Sequence, residues 1–462
     1  MRQMSFRIHP VFVCIAAVLT VLPVTAQELS FNSRRQIAVP PHATFRLGPF
    51  HSQWIFSQEA GVRYLALGGA AGQNRQRTSG LDFPLETALD TRNYLVLGTA
   101  LGLNLSAVFN YEYYPLGTEE NRFEFNPVEE GVVGDISVDV ALGKRFLVTV
   151  YEAPAYHTDY VDFRGLEDNI TGQRYERFVN SVGVDADWLL ARNKNLSGSY
   201  SRQDTIPQDE TFARQESVSA TERAAFEYQP IRTLVLGPRV IHTLTRYPAR
   251  DRDDFEYVTT EFFCDLRVNR STQWSWSVGR TVNEVVADAG GAGPVEWEGT
   301  TGAVRVRQVL GRGLLHELRF ARGVNEGFSS GSEVSSEYEY TVEWEGDLSS
   351  VSASAELGEV ESVGSTDDYR IWLTRVEISH ALAPKLTLLL RGQVETREFD
   401  DPAEADRVAG NVTAETTYRL ARDWFWAAET SHLWRQFAGG GDAEGDKQET
   451  TVQLTLRYRH QL

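Results

Sequence analysis

Cysteine and methionine are almost absent from this chain, with two of each in 462 residues. Met1, Met4 and Cys14 all lie near the N-terminus, which leaves Cys264 alone in the remainder. A single cysteine forms no intramolecular disulfide, so no disulfide framework holds the fold. Long apolar runs are missing too. Beyond the N-terminal segment no stretch of about 18 apolar residues occurs, which excludes a membrane-spanning helix. It does not exclude spanning strands, which turn only every second residue to lipid. An excess of positive charge is also lacking. The chain holds 64 acids against 45 bases, a net charge of −19, and that argues against a nucleic-acid partner.

Catalytic and metal-binding patterns are scarce. Residues 327–331 read GFSSG, formally G-x-S-x-G, but a nucleophile elbow needs a strand before it and a helix after it. Here the match sits in a Gly/Ser stretch between two strand patterns. The histidines (His42, His51, His157, His242, His316, His380, His432 and His460) occur singly, with no H-E-x-x-H, so a zinc site is not expected. No catalytic, cofactor-binding or metal residue is nominated. The acid groups Asp251/Asp253/Asp254, Asp367/Asp368 and Asp400/Asp401 fall in polar loops. Solvation accounts for them, with divalent binding to lipid phosphates as the alternative.

The chain opens on MRQMSFRIHPVFVCIAAVLTVLPVTAQE. Arg2 and Arg7 form a positive n-region, Val11 to Val24 a short apolar stretch, and Val24-Thr25-Ala26 a small-residue cleavage site. Residues 1–26 are therefore expected to be a secretory signal peptide. Cys14 lies inside the apolar run and is no lipoprotein anchor. Residues 27–50 are expected to form a short periplasmic tail, and 51–462 the folded body.

That body alternates. Val258, Thr260, Phe262, Cys264, Leu266 and Val268 interleave with Thr259, Glu261, Phe263, Asp265 and Arg267. The stretches 132–142 and 386–398 behave alike. Period two is the strand signal, and these runs exceed the usual 5–6 residues. Short turns punctuate them at 142–145, 191–195, 229–233, 269–273, 310–313, 346–350, 382–385 and 420–423. A further hairpin spans 92–114. Long acidic or Gly/Ser/Asp-rich segments lie between the hairpins, such as 203–216, 286–296, 399–406 and 437–448. Short turns alternating with long polar loops are the rhythm of a membrane barrel, with the short turns periplasmic. The expectation is an all-β fold: one transmembrane antiparallel up-and-down β-barrel of about 20 strands, within a range of roughly 18–22.

The strand phases then sort the side chains. In EYEYTVEWEG (337–346), Tyr338, Tyr340, Val342 and Trp344 alternate with Glu337, Glu339, Thr341, Glu343 and Glu345. The apolar phase is expected to face lipid. Trp274, Trp276, Trp344, Trp424 and Trp426 sit on it beside short turns, where an aromatic girdle belongs. The polar phase is expected to line a lumen with Glu337, Glu339, Glu343, Glu345, Glu356, Arg305, Arg307, Arg319, Arg375, Arg391 and Arg457. Rings of charge set ion selectivity in pores. The plainer alternative is that Arg and Glu pair across strands and merely fill the barrel wall.

The last residues, Val452 to Leu462, alternate to the end of the chain. This resembles the C-terminal assembly signal of bacterial outer-membrane proteins, although Leu462 and His460 replace the usual aromatics. The stretches LAPKLTLLLRGQVETREF and LARDWFWAAETSHLWRQF resemble outer-membrane porins of Gram-negative bacteria of the β-barrel porin 2 type. The resemblance implies an outer-membrane channel and names no solute. It also implies two partners, the membrane lipid and the barrel-assembly machinery acting on the C-terminal strand. A homo-oligomer stays open. The expected function is passive diffusion of small hydrophilic solutes or ions. A non-conducting structural or adhesion barrel and an exopolysaccharide-export channel are the alternatives.

Overall fold

The computed structural model describes residues 45–69, 79–117, 121–127, 136–160, 174–208, 215–248, 254–286, 295–311, 313–326, 332–362, 368–400, 406–438 and 447–461. The signal-peptide expectation, most of the tail, the GFSSG stretch, Asp251, Asp253, Asp367, Asp401 and Leu462 lie outside these residues. Alternation becomes strand throughout. The elements are β1 (Phe45–Leu47), β2 (Phe50–Gly69), β3 (Gly80–Asp82), β4 (Leu85–Leu97), β5 (Leu101–Tyr113), β6 (Arg122–Pro127), β7 (Ile136–Leu142) and β8 (Phe146–Tyr160). There follow β9 (Arg174–Ala191), β10 (Lys194–Pro207), β11 (Ser217–Ile231), β12 (Leu234–Arg246), β13 (Asp254–Arg267), β14 (Thr272–Val286), β15 (Val295–Leu310) and β16 (Leu314–Glu326). The chain continues through β17 (Ser332–Glu345), β18 (Ser349–Ser362), β19 (Tyr369–Ala383), β20 (Leu386–Phe399), β21 (Asp406–Arg419), β22 (Trp424–Ala438) and β23 (Lys447–Gln461).

Apart from β3/β4 and β6/β7, each strand pairs antiparallel with the next, and β23 returns to β2 from Ile55↔Gln461 to Gly69↔Lys447. β3 and β4 both lie along β2, and β6 and β7 both lie along β5, so each pair is one interrupted strand. β1 is a short flap on the start of β2. The result is a closed antiparallel barrel of 20 strands. Closure pairs the backbone groups that an open edge would expose, which a bilayer demands of any spanning sheet.

Turn chemistry fixes where strands reverse. Gly98 and Gly143 both adopt φ 69° in the β4–β5 and β7–β8 turns, a left-handed conformation that glycine adopts without a Cβ penalty. Gly237 does a different task. A Cβ there would run into the Phe226 carbonyl of β11, beside a register shift between Tyr228 and Ile231. We predict that Gly237→Ala forces the two strands apart and costs roughly 1–3 kcal/mol, the usual range for overpacking. A lower midpoint for loss of the compact, heat-modifiable gel band checks this, and an unchanged midpoint contradicts it.

The outer face carries the apolar surface. Leu105, Val150, Val184, Trp188, Val240, Phe262, Val304, Val376, Val412 and Leu454, among many others, are exposed. A water-soluble protein rarely leaves so continuous an apolar face uncovered. Around a closed barrel it is the lipid contact.

Candidate functional site: the inner wall

Which face is inside follows from contacts that skip a strand, because side chains converge on a concave face. Arg457 of β23 donates to Glu59 of β2 at 2.9 Å and, across β22, to Glu415 of β21 at 2.9 Å. Counting outward from Arg457 by alternation and register places the polar phase of every strand on the same, inner side.

All eleven charged residues singled out above occupy that face, and most of them are paired. Arg305 binds Glu317 through two hydrogen bonds of 2.6 and 2.8 Å. Arg319 lies 3.9 Å from Glu339, Arg375 lies 3.4 Å from Glu356, and Arg391 lies 3.0 Å from Glu377. Thus Glu339 and Glu356 are neutralised by neighbours, and the acidic strip read from 337–345 is shorter than its sequence. Glu337, Glu343 and Glu345 make no ion pair among the described residues, and neither does Arg307. Arg307 faces Glu317 in register, but that carboxylate is taken by Arg305. The tryptophans occupy the other face. Trp274, Trp276, Trp344, Trp424 and Trp426 are exposed beside the short turns.

The opposite arc of the inner wall was not singled out from the sequence. Asp185 and Asp187 of β9, Ser197 and Ser199 of β10, and Arg223 and Glu227 of β11 line one recess. Asn195 donates to both Asp187 and Glu227 at 3.3 Å. On the next strands Arg239 pairs with Glu261. Alternation carried the signal, since Val182, Val184 and Trp188 take the opposite phase. These acids are spaced singly, however, and form no conspicuous run.

On β15–β20 the wall is wet toward the short turns, whereas on β2–β8 His51, Gln53, Tyr94, Asn104 and Leu147 are buried at that level. Toward the long loops the wall is dry. The side chains of Arg305, Arg319, Arg375 and Arg391 keep 53, 52, 47 and 54 % of their surface exposed. Nearer the long loops, Arg435 is 2 % and Glu395 1 % exposed. Arg397 there hydrogen-bonds Glu395 at 3.2 Å and lies over the Tyr369 ring. A seam of hydroxyls crosses the same level. Thr259, Thr281 and Thr301 sit at 2.7 Å from one to the next, and Thr281 is fully buried.

One hairpin leans inward from the wall, parting from β15 while β17 stays paired to β18 as far as Glu333↔Ser362. Pairing between β15 and β16 stops at Gly302↔Arg322, while β14–β15 continues to Val295 and β16–β17 to Glu326. By alternation Val324 and Val334 belong to the outer phase, and Phe255 and Val285 to the inner one. Yet these four pack in one buried cluster with Tyr247, against Tyr257 and Trp297. The outer side of the β16–β17 tip therefore lies against the inner side of β13–β15. The tip leans into the lumen and narrows its long-loop end.

A closed antiparallel sheet with an apolar exterior, short turns at one end and a charged interior is the build of an outer-membrane β-barrel. A solved structure shows the same fold, and others are similar to this chain. The FrpB iron transporter from Neisseria meningitidis (F3-3 variant) superposes with a TM-score of 0.51 at 8 % identity, over 88 % of this chain and 81 % of that one. Pseudomonas aeruginosa OccK2 (OpdF) gives a TM-score of 0.43 at 11 % identity, over 89 % and 98 % of the two chains. The outer membrane protein OprD of the same organism gives 0.41 at 11 %, over 91 % and 96 %. No protein-family profile matches the chain, and no curated protein does.

Proposed function

We propose that the barrel is an outer-membrane channel through which small hydrophilic solutes or ions diffuse passively. The half-exposed arginines of β15–β20 carry this reading. A filled interior would bury them, whereas these keep about half their side-chain surface in solvent on a concave face. A barrel of this strand number is wide enough for an aqueous path. The leaning β16–β17 tip sets the narrow end, and the paired wall below it forms a wide vestibule toward the periplasm. The outer-membrane porin resemblance of the β19–β22 segments points the same way. The reading assigns transport and no catalytic step.

The charges left over after pairing give the selectivity. Among the described residues of β15–β17 the unpaired Glu337, Glu343 and Glu345 outnumber the unpaired Arg307, and Asp185 and Asp187 line the facing arc. The lumen therefore favours cations. Replacing Glu343 and Glu345 together by Gln is expected to move the reversal potential in a salt gradient toward zero while the barrel stays folded. An unmoved reversal potential removes this assignment. Swelling of proteoliposomes in small sugars tests diffusion itself. Swelling no faster than that of empty vesicles contradicts the channel.

A further inference from the structure

The outer face changes character at its long-loop end. On β2–β6 apolar and aromatic side chains reach the rim, where Tyr64, Leu81, Leu85, Tyr111, Tyr113 and Phe123 are all exposed. On β10–β15 the same level is ionic. Arg202 donates to Asp204 at 2.9 Å. His242 lies 2.7 Å from Glu256 and 3.6 Å from Glu222, and Arg280 pairs with Glu298. Register confirms the direction of these groups. Tyr200, Glu222, His242, Val258, Val282 and Glu298 stand opposite one another strand by strand, and Tyr200 and Val258 of this row are exposed apolar groups. Toward the short turns the same strands carry Phe262, Trp274, Trp276 and Val278. The ionic groups begin about nine residues above the short turns, near the upper limit of the ~25 Å apolar band of such barrels.

We propose that this arc docks the phosphorylated head groups of outer-leaflet lipid together with their divalent counter-ions. Hydrocarbon does not cover it, because charge on the lipid face is tolerated only near the interface. The two signs of charge suit two parts of one ligand. The guanidinium groups of Arg202 and Arg280 offer forked donors to phosphate. Asp204, Glu222, Glu256 and Glu298 offer the oxygen ligands that Mg²⁺ and Ca²⁺ take. Arg280 keeps 66 % of its side chain exposed, so its pair with Glu298 is open to a competing anion. A second copy of the chain fits less well, since the core of a protein interface is depleted in charge. The apolar half of the rim, with its tyrosines, meets ordinary acyl chains and the interfacial layer.

The test uses the full-length barrel in phosphatidylcholine vesicles with and without a phosphorylated glycolipid (lipid A), in Mg²⁺ or in EDTA. Glycolipid retained per barrel is counted by native mass spectrometry, and folding is checked by heat-modifiable migration. The wild type is expected to retain the glycolipid in Mg²⁺ and to lose it in EDTA. Retention is expected to fall about fivefold for each of Arg202→Gln and Arg280→Gln, and less for the Lys replacements, which keep the charge and lose the fork. Glu298→Gln is expected to weaken the Mg²⁺ dependence. Equal retention by the Arg→Gln variants overturns the proposal, as does equal retention of phosphatidylcholine. A lipid-independent dimer abolished by Arg280→Gln overturns it in favour of a second copy. Conduction plays no part in the readout, so failure here leaves the channel reading to its own test.

Discussion

Replacing Val334 by Asp is expected to swing the β16–β17 tip out of the lumen and to raise single-channel conductance. Val334 is 1 % exposed at the centre of the cluster with Tyr247, Phe255, Val285 and Val324. Burial of a Val or Phe side chain is worth about 1.5–3 kcal/mol, so the cluster holds the tip by several such increments. An ionised carboxylate in that setting costs a comparable amount or more unless it finds water. The tip can reach water by pivoting about its β17–β18 ladder, which holds as far as Glu333↔Ser362, because its pairing with β15 has already ended at Arg322. The rest of the barrel keeps its ladder. The variant should therefore stay folded, with a wider and noisier pore. Val334→Leu, which keeps the cluster apolar, should conduct like the wild type. If Val334→Asp folds and its conductance is unchanged, the tip does not set the narrow end.

Arg457→Met is expected to weaken the barrel where it closes. Arg457 joins the last strand to the first through Glu59 and reaches over β22 to Glu415, each at 2.9 Å. Removing it leaves two carboxylates facing one another on the inner wall. Breaking a fully buried pair costs about 3–5 kcal/mol. One third of the Arg457 side chain is exposed, so solvent screening reduces the expected loss to roughly 1–2 kcal/mol. The midpoint of heat-modifiable migration should fall. Arg457→Lys should recover part of the loss, since a point charge replaces a fork that serves two acceptors. Adding Glu59→Gln to Arg457→Met should recover part as well. An unchanged midpoint in Arg457→Met rules out a structural role for the bridge.

Much of this architecture is legible in the chain because a strand has a period of two and a barrel has two kinds of connection. The short turns at 142–145, 382–385 and 420–423 mark reversals that the structure places between β7 and β8, β19 and β20, and β21 and β22. The phase of EYEYTVEWEG is equally legible: its rings stand on one face and its glutamates on the other. What alternation cannot supply is the neighbour. Glu339 is neutralised by Arg319 because the β16–β17 register sets them opposite, and that register depends on where the intervening loop begins. Arg457 and Glu59 are 398 residues apart in sequence, and only closure brings them together.

The leaning hairpin shows a second limit. Val324 and Val334 continue a lipid-facing phase, and nothing local says that their hairpin leans inward from the wall. The clue lies on other strands. Phe255, Tyr257 and Trp297 are large rings on the polar phase, where a wet lumen has no use for them. Together they mark the surface that the hairpin tip covers.

The central claim is a water-filled path bounded by the paired wall. Single-channel recording of the purified barrel in a planar bilayer tests it most directly. Discrete conductance steps with a cation-preferring reversal potential in a salt gradient are the expected result. A folded, inserted barrel that passes no current at any voltage would contradict it.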